Sequence, residues 1–184
     1  MKRFITFLTV IVTLCINSVA QNFTEYDRKV FNEGTVLTPD DLFFAREGTP
    51  YSIEKPCRVY SIHNEGGETI LTLSYSIYFD SQWVHIGKGL EIVDSLTNDV
   101  YKVRGYADGY PMGKLLIVKG CKGKNILIRM RFPKLKRNVE TICLYEHIHP
   151  DDIKPSNNRV DDELIAKNIK VADYRVKRSP KKRK

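Results

Sequence analysis

The feature that most constrains the fold is a succession of short apolar runs, separated by turn residues, between positions 57 and 147. From Ile70 to Phe79 apolar and polar residues alternate, which is typical of a β-strand with one face in the core. The same alternation occurs from Asn125 to Phe132 and predicts outward-facing Arg129 and Arg131. The residues of that run predicted to face inward are Ile126, Ile128, Met130 and Phe132.

Further runs have the length and composition of strands: Cys57 to His63, Trp83 to Gly87, Glu91 to Asp94, Val100 to Arg104, Lys114 to Lys119 and Glu140 to His147. Residues 64–68 and 121–124 contain the glycines of hairpin connections, and Pro133 ends a strand. No connection is long enough for a parallel crossover, so the strands are expected to be antiparallel. The sequence therefore predicts a mainly β protein, an antiparallel immunoglobulin-like β-sandwich over residues 57–149.

The flanking segments are predicted to be short additions to the sandwich. Residues 21–56 form an N-terminal appendage, in which Thr38–Asp41 has the pattern of a helix start. Residues 150–174 are predicted to be a loop and a C-terminal helix, because acids precede an apolar half-face in this stretch. The apolar residues of that half-face are Leu164, Ile165, Ile169 and Ala172. A strand from Asn168 to Val171 is the alternative.

The N-terminus has the pattern of an export signal. Lys2 and Arg3 precede an apolar run from Phe4 to Leu14, and Ser18-Val19-Ala20 supplies the small residues before a cleavage site. We expect a signal peptide over residues 1–20 and no transmembrane span after its removal. The mature protein is then exported to the periplasm, the cell surface or the medium.

The net charge of +8 is concentrated at the C-terminus, where residues 175–184 carry seven basic residues and no acid. The body from 21 to 174 is nearly neutral, so binding to nucleic acid is not indicated. We predict a disordered basic tail over 175–184 that either aids solubility or attracts a protein or an anionic envelope component. Its candidate binding residues are Lys177, Arg178, Lys181, Lys182, Arg183 and Lys184.

Three cysteines remain after signal removal, an odd number for an oxidising compartment. Cys57 and Cys143 lie in strand-like runs, where buried and inert thiols are expected, and a disulfide between them is the alternative. Cys121 lies in a turn and could link two copies of the chain.

The strongest candidate for chemistry is the run from His147 to Asp152. On an extended chain His147 and His149 share a face, so both could bind a metal together with Asp151 or Asp152. The run superficially resembles the His-x-His-x-Asp-His motif of metallo-β-lactamase-type hydrolases, with Asp152 where that motif has its last histidine. A polar strand end that turns at Pro150 is the alternative. Other catalytic motifs are absent from the sequence, which indicates neither an enzyme nor a cofactor.

A glycine-hinged loop over residues 105–113 is a candidate contact surface. Tyr106, Tyr110 and Met112 are side chains of the kind that binding loops use. Equally, Tyr106 or Met112 could fold back and close one end of the core.

The stretch from Thr69 to Glu146 resembles an extracytoplasmic β-sandwich domain of secreted proteins from Gram-negative gut and oral bacteria. The segments that carry the resemblance are Thr69–Leu73, Trp83–Ile86, Glu91–Asp94, Val100–Val103 and Arg131–Leu135. The resemblance implies an immunoglobulin-like fold, with Trp83 buried in an early strand, and no defined activity.

The function predicted from the sequence is an exported binding or assembly module of the cell envelope without catalysis. A metal-dependent hydrolase centred on His147 and His149 is one alternative. A thiol-linked dimeric structural protein is the other.

Overall fold

The computed structural model describes residues 24–52, 55–156 and 163–175, and describes Glu163 and Leu164 by their backbone alone. Helix α1 is Glu25–Asn32, a 3-10 turn spans Pro39–Asp41, and the four-residue helix α2 is Val171–Tyr174. The strands are β1 Thr35–Leu37, β2 Phe43–Phe44, β3 Cys57–Glu65, β4 Glu68–Ser76, β5 Ser81–His85, β6 Leu90–Asp94, β7 Val100–Lys102, β8 Gly105–Tyr106, β9 Leu115–Lys119, β10 Asn125–Pro133, β11 Thr141–Glu146 and β12 Glu163–Lys170. None of the helices in the described part of the chain has the length and apolar character needed to cross a bilayer.

The described strands form three sheets. Their orders are β1-β9-β5, then β2-β10-β4-β3 with β8 also pairing with β10, and β12-β11-β6-β7. All pairings are antiparallel except that of β1 with β9. The prediction of a mainly β protein with antiparallel sheets is therefore confirmed.

Two connections join the second and third sheets at their edges. After β7 pairs with β6, the Arg104 amide donates to the carbonyl of Arg131 at 2.8 Å, and β8 then pairs with β10. At the other edge, Arg175 forms a parallel bridge with Ile62 of β3. The described residues share one apolar core, to which strands of all three sheets contribute.

The core confirms the predicted faces of β10. Ile126, Ile128, Met130 and Phe132 are each at most 1% exposed, whereas Arg131 is exposed and Arg129 is half-buried. An antiparallel strand with one face in the core produces this alternation.

Strand β4 differs from the prediction because it is buried on both faces. Leu71 and Leu73 lie in the core, and Thr72 and Ser74 on the opposite face are at most 5% exposed. The next polar residue on that face, Ser76, accepts a hydrogen bond from the Ser52 amide at 3.3 Å and donates to Asn125 Oδ1 at 2.7 Å. The pattern of β4 alone could not reveal these contacts, because Ser52 belongs to the N-terminal appendage and Asn125 to β10.

One of the two predicted hairpins is present. Gly66 and Gly67 connect β3 to β4 with φ values of 57° and 87°, the positive values that a type I′ turn requires at both central positions. Residues 121–124 also form a tight turn, closed by a hydrogen bond of 3.0 Å from the Lys124 amide to the Cys121 carbonyl. This turn is not a hairpin, because β9 and β10 belong to different sheets.

The N-terminal appendage contains a helix that the sequence analysis missed. Helix α1 begins with a capping box, in which Thr24 and Asp27 bond to each other's backbone amides. The helix start predicted at Thr38 is a single 3-10 turn with the same kind of reciprocal bonding to Asp41.

The predicted C-terminal helix is confined to α2, and the preceding residues from Glu163 to Lys170 form strand β12. This strand pairs with β11, which places Ile169 opposite Ile142 and leaves Ile169 6% exposed. The pairing shifts register twice, and Asn168 has a positive φ of 55°. These irregularities break the period of two, so the apolar spacing resembled that of a helix.

The tryptophan expected from the family resemblance is not buried. Trp83 lies on β5, an edge strand, and is 37% exposed. The exposure of Trp83 matters for function because this residue lies in the wall of a large cleft.

Candidate functional site

A cleft of about 1160 Å³ opens where the edges of all three sheets approach one another. It is lined by the first residues of β3, by Gln82–His85 of β5 and by Ile165–Lys170 of β12. Each of these strands is the last in its sheet. The cleft therefore lies between three strand edges that are unpaired within the described residues, apart from the bridge at Ile62.

Basic residues outnumber acidic ones along the cleft. The acidic lining residues are Glu146, Asp152 and Asp173, whereas the lysines and arginine are Lys55, Arg58, Lys154, Lys167 and Lys170. Lys55, Lys167 and Lys170 are exposed. The cleft is thus a positive feature on a body whose overall charge is near zero.

Aromatic and aliphatic side chains provide the apolar part of the wall. Trp83 and Ile148 are exposed at its rim, and Tyr75, Ile165 and Tyr174 are half-buried. Partly exposed aromatic rings beside polar groups are common in binding surfaces, because they bury a large area at a small cost in conformational entropy.

One end of the cleft contains two carboxylates that are held by backbone amides. The Gly87 amide donates to Glu146 Oε1, and the Lys88 amide donates to Asp152 Oδ1 at 2.9 Å. A Cβ at Gly87 would collide with both carboxylates. A side chain at position 87 would therefore displace the two carboxylates from their present positions.

His85 is a titratable group in the same region. Its Nε2 atom is buried and has no hydrogen-bond partner. Burial lowers the pKa of His85, while the nearby Asp152 and a hydrogen bond with the Gly113 backbone oppose that effect. The net effect favours the neutral form of the imidazole.

The predicted metal ligands make other contacts. His147 Nε2 lies 3.4 Å from Glu91 Oε2, and its ring stacks on that of Tyr145. His149 Nδ1 instead accepts the amide of Asp151 at 3.2 Å, and the Asp151 carboxylate pairs with Lys88 at 3.2 Å. Within the described residues, no group of three or more His, Cys, Asp or Glu side chains is arranged to hold a metal ion.

The predicted contact loop folds back onto the core. Tyr106 is 1% exposed and belongs to β8, so it is not available to a partner. Tyr110 packs edge-to-face on Tyr106, with 5.7 Å between ring centroids, and its hydroxyl donates to the Asp41 carbonyl at 2.9 Å. Met112 is half-buried against the same core. Of the two interpretations of this loop, the structure favours closure of the core.

None of the three described cysteines forms a disulfide, so the alternative of a Cys57–Cys143 bridge is not observed. Cys57 and Cys143 are half-buried rather than fully buried. Cys121 is fully buried, and burial raises the pKa of its thiol. A bond between Cys121 residues of two copies would therefore require the turn around it to open.

Two predicted features lie outside the described residues. They are the signal peptide over 1–20 and residues 176–184 of the basic tail predicted over 175–184. The first residue of that tail, Arg175, is described and is ordered by its bridge to Ile62.

The cleft could not be predicted from the sequence because its residues come from five separate stretches of the chain. The sequence around Trp83 or Arg58 contains no local pattern that distinguishes a residue of a cleft wall from a residue of an ordinary edge strand. Only the arrangement of the three sheets brings them together.

Comparison of the chain with protein families, curated protein sequences and solved structures found no match. The resemblance to extracytoplasmic β-sandwich domains of Gram-negative bacteria stays a prediction.

Proposed function

We propose that this protein is an exported binding module of the cell envelope and that its partner occupies the cleft between β3, β5 and β12. The observation that carries the proposal is the cleft itself, whose walls combine exposed lysines with partly exposed aromatic rings. Its volume of about 1160 Å³ exceeds the range of roughly 300–1,000 Å³ typical of small-molecule pockets, which supports a larger partner.

The chemistry of the cleft supports binding rather than catalysis. The carboxylates of Glu146 and Asp152 are engaged by the amides of Gly87 and Lys88, a role that stabilises the local fold. His85 is half-buried, and burial lowers its pKa, while the second histidine of the lining, His147, lies with its Nε2 atom 3.4 Å from Glu91 Oε2. General acid–base catalysis requires such a group within hydrogen-bond distance of a bound substrate.

Location and charge complete the proposal. The export pattern of residues 1–20 directs the protein to the envelope, where anionic proteins and polysaccharides are potential partners. The basic tail would add a second, long-range attraction to the same partners. The immunoglobulin-like sandwich remains part of the proposal and is supported by the antiparallel pairing within two of the three sheets and by the shared apolar core.

The test is capture of envelope components by three versions of the purified protein. The first lacks residues 176–184 and keeps Arg175, the second carries Lys167→Glu and Lys170→Glu in the cleft, and the third carries Lys119→Glu and Lys122→Glu. Lys119 and Lys122 are exposed and lie outside the cleft, so the third version is matched in charge to the second.

We expect the cleft variant to lose the partner and the matched variant to retain it. Tail deletion should weaken capture at low salt without abolishing it, because the tail adds only screened electrostatic attraction. Equal capture by the cleft variant and the matched variant would contradict the proposal.

A further inference from the structure

We infer that the cleft binds an extended acidic polypeptide segment by strand addition, with the backbone of the segment pairing with an edge of β5, β3 or β12. This inference rests on the proposed function and specifies the partner and the mode of binding. Strand addition is a recurring mode of peptide recognition, in which main-chain hydrogen bonds provide affinity and alternate side chains provide specificity.

Three edge strands, β3, β5 and β12, line the same cleft. β5 pairs only with β9, β12 pairs only with β11, and β3 pairs along its length only with β4 among the described strands. Each outer edge presents backbone N–H and C=O groups that need hydrogen-bond partners. All three edges line one cleft, whereas a small-molecule pocket needs only a few convergent polar groups.

The second and third sheets, which end in β3 and β12, separate at the cleft. Beyond the cleft, Arg175 bridges to Ile62, and helix α2 packs against β3, so the sheets are closed at that end. The open part of the cleft is lined instead by Lys55–Val59 and Ile165–Lys170. An added strand would fill the opening and continue the contact that already exists at Ile62.

The cleft lining carries more positive than negative charge. Lys167 and Lys170 of β12 and Lys55, just before β3, are exposed, and Arg58 of β3 is half-buried. Of the three acidic lining residues, Glu146 and Asp152 accept hydrogen bonds from backbone amides, and Asp173 of α2 is exposed. The open length of the cleft therefore favours acidic side chains on a bound segment and disfavours basic ones.

The cleft lining also offers apolar groups. Val59 and Ile165 are half-buried and Trp83 is 37% exposed. A bound strand turns alternate side chains in opposite directions, so it can present acidic and apolar side chains to one lining. An acidic segment with alternate apolar residues satisfies both requirements.

The experiment measures fluorescence anisotropy of labelled octapeptides added to the full mature chain. The parent peptide alternates Glu and Val, and a control peptide alternates Lys and Val. Two further peptides repeat the acidic sequence with N-methyl groups at either the odd or the even positions, which removes backbone donors but keeps every side chain. An oligogalacturonate provides an anionic polysaccharide for comparison.

We expect the acidic peptide to bind and the basic peptide to bind at least tenfold more weakly. At least one N-methylated peptide should lose tenfold or more in affinity, because one set of amides faces the strand edge. Lys167→Glu with Lys170→Glu should also weaken binding at least tenfold, whereas Lys119→Glu with Lys122→Glu should leave it unchanged.

The inference is overturned if the acidic peptide does not bind, if both N-methylated peptides bind like the parent, or if only the oligogalacturonate binds. Those results leave the proposed function intact when envelope capture still depends on Lys167 and Lys170. If capture does not depend on these lysines, the proposed function fails as well.

Discussion

The Asp27 carboxylate accepts a hydrogen bond from the Ser156 amide at 2.7 Å and another from the Ser156 hydroxyl at 3.0 Å. Asp27 also caps helix α1 through Thr24, so one side chain joins the N-terminal helix to the segment that leads from the cleft toward β12. The hydroxyl of the neighbouring Tyr26 donates to the Lys154 carbonyl at 3.3 Å and reinforces the junction. The N-terminal appendage is therefore fastened to the cleft side of the molecule.

We predict that Asp27→Asn lowers stability in a pH-dependent manner. Hydrogen bonds from the Ser156 backbone and from the Thr24 side chain lower the pKa of Asp27 from 3.8 to about 2. Because the folded pKa lies below the unfolded one, the charged group stabilises the fold above about pH 4, and this contribution is lost between pH 4 and 2. Urea unfolding from pH 6 to 2 should show a deficit for Asp27→Asn that disappears near pH 2.

The matched control for this series is Asp40→Asn, which changes an exposed carboxylate in the same appendage. It should shift the urea midpoint little at any pH. A deficit of Asp27→Asn that stays constant down to pH 2 would show that the charge of Asp27 does not carry the effect.

Gly89→Ala should destabilise the protein more than Gly66→Ala. A Cβ at Gly89 would lie 2.7 Å from the carbonyl carbon of His147 and closer still to its oxygen, so the backbones of two connections would have to separate. Gly66 faces open space and has a positive φ of 57°, so alanine there costs only the strain of that conformation, about 1 kcal/mol. Thermal melting should show the larger shift for Gly89→Ala, and equal shifts would contradict the close approach.

Removal of the hydroxyl group should affect the free energy of unfolding differently at Tyr106 and at Tyr110, the two tyrosines of the folded-back loop. The Tyr106 hydroxyl is buried without a hydrogen-bond partner of normal geometry, and burial raises its pKa. Tyr106→Phe should therefore be neutral or stabilising by up to about 1 kcal/mol. Tyr110→Phe loses the bond to the Asp41 carbonyl and should cost about 1 kcal/mol. Chemical denaturation of the two variants checks the difference in sign.

Cys121 should react slowly with thiol reagents in the folded protein. Its side chain is fully buried and burial raises the pKa of the thiol, both of which reduce the amount of accessible thiolate. In a variant with Cys57→Ser and Cys143→Ser, labelling by a disulfide reagent at pH 8 should be at least tenfold slower than after denaturation. Fast labelling, together with a dimer band on a non-reducing gel, would instead support a thiol-linked dimer.

The strands were predictable where one local pattern decided the structure. The faces of β10 follow from the alternation of Ile126 to Phe132, and the β3–β4 hairpin follows from Gly66 and Gly67. In both places the side chains and turn residues of a single stretch determine its conformation.

The remaining features depend on distant parts of the chain. β12 looked helical because its register shifts near Asn168, and it is a strand because β11 offers a pairing edge. Thr72 is buried by residues outside β4, which the sequence of β4 does not reveal. The cleft forms where the three sheets meet. A local pattern carries no information about such tertiary arrangements.

Trp83 provides the most direct test of the claim that the cleft is the binding surface, because it is the only tryptophan in the chain and lies in the cleft wall. The measurement is Trp83 fluorescence and its quenching by acrylamide, before and after addition of the partner isolated by envelope capture. The account predicts a blue shift and reduced quenching that saturate with binding and are absent in the variant with Lys167→Glu and Lys170→Glu. Binding that leaves both the emission and the quenching of Trp83 unchanged would contradict it.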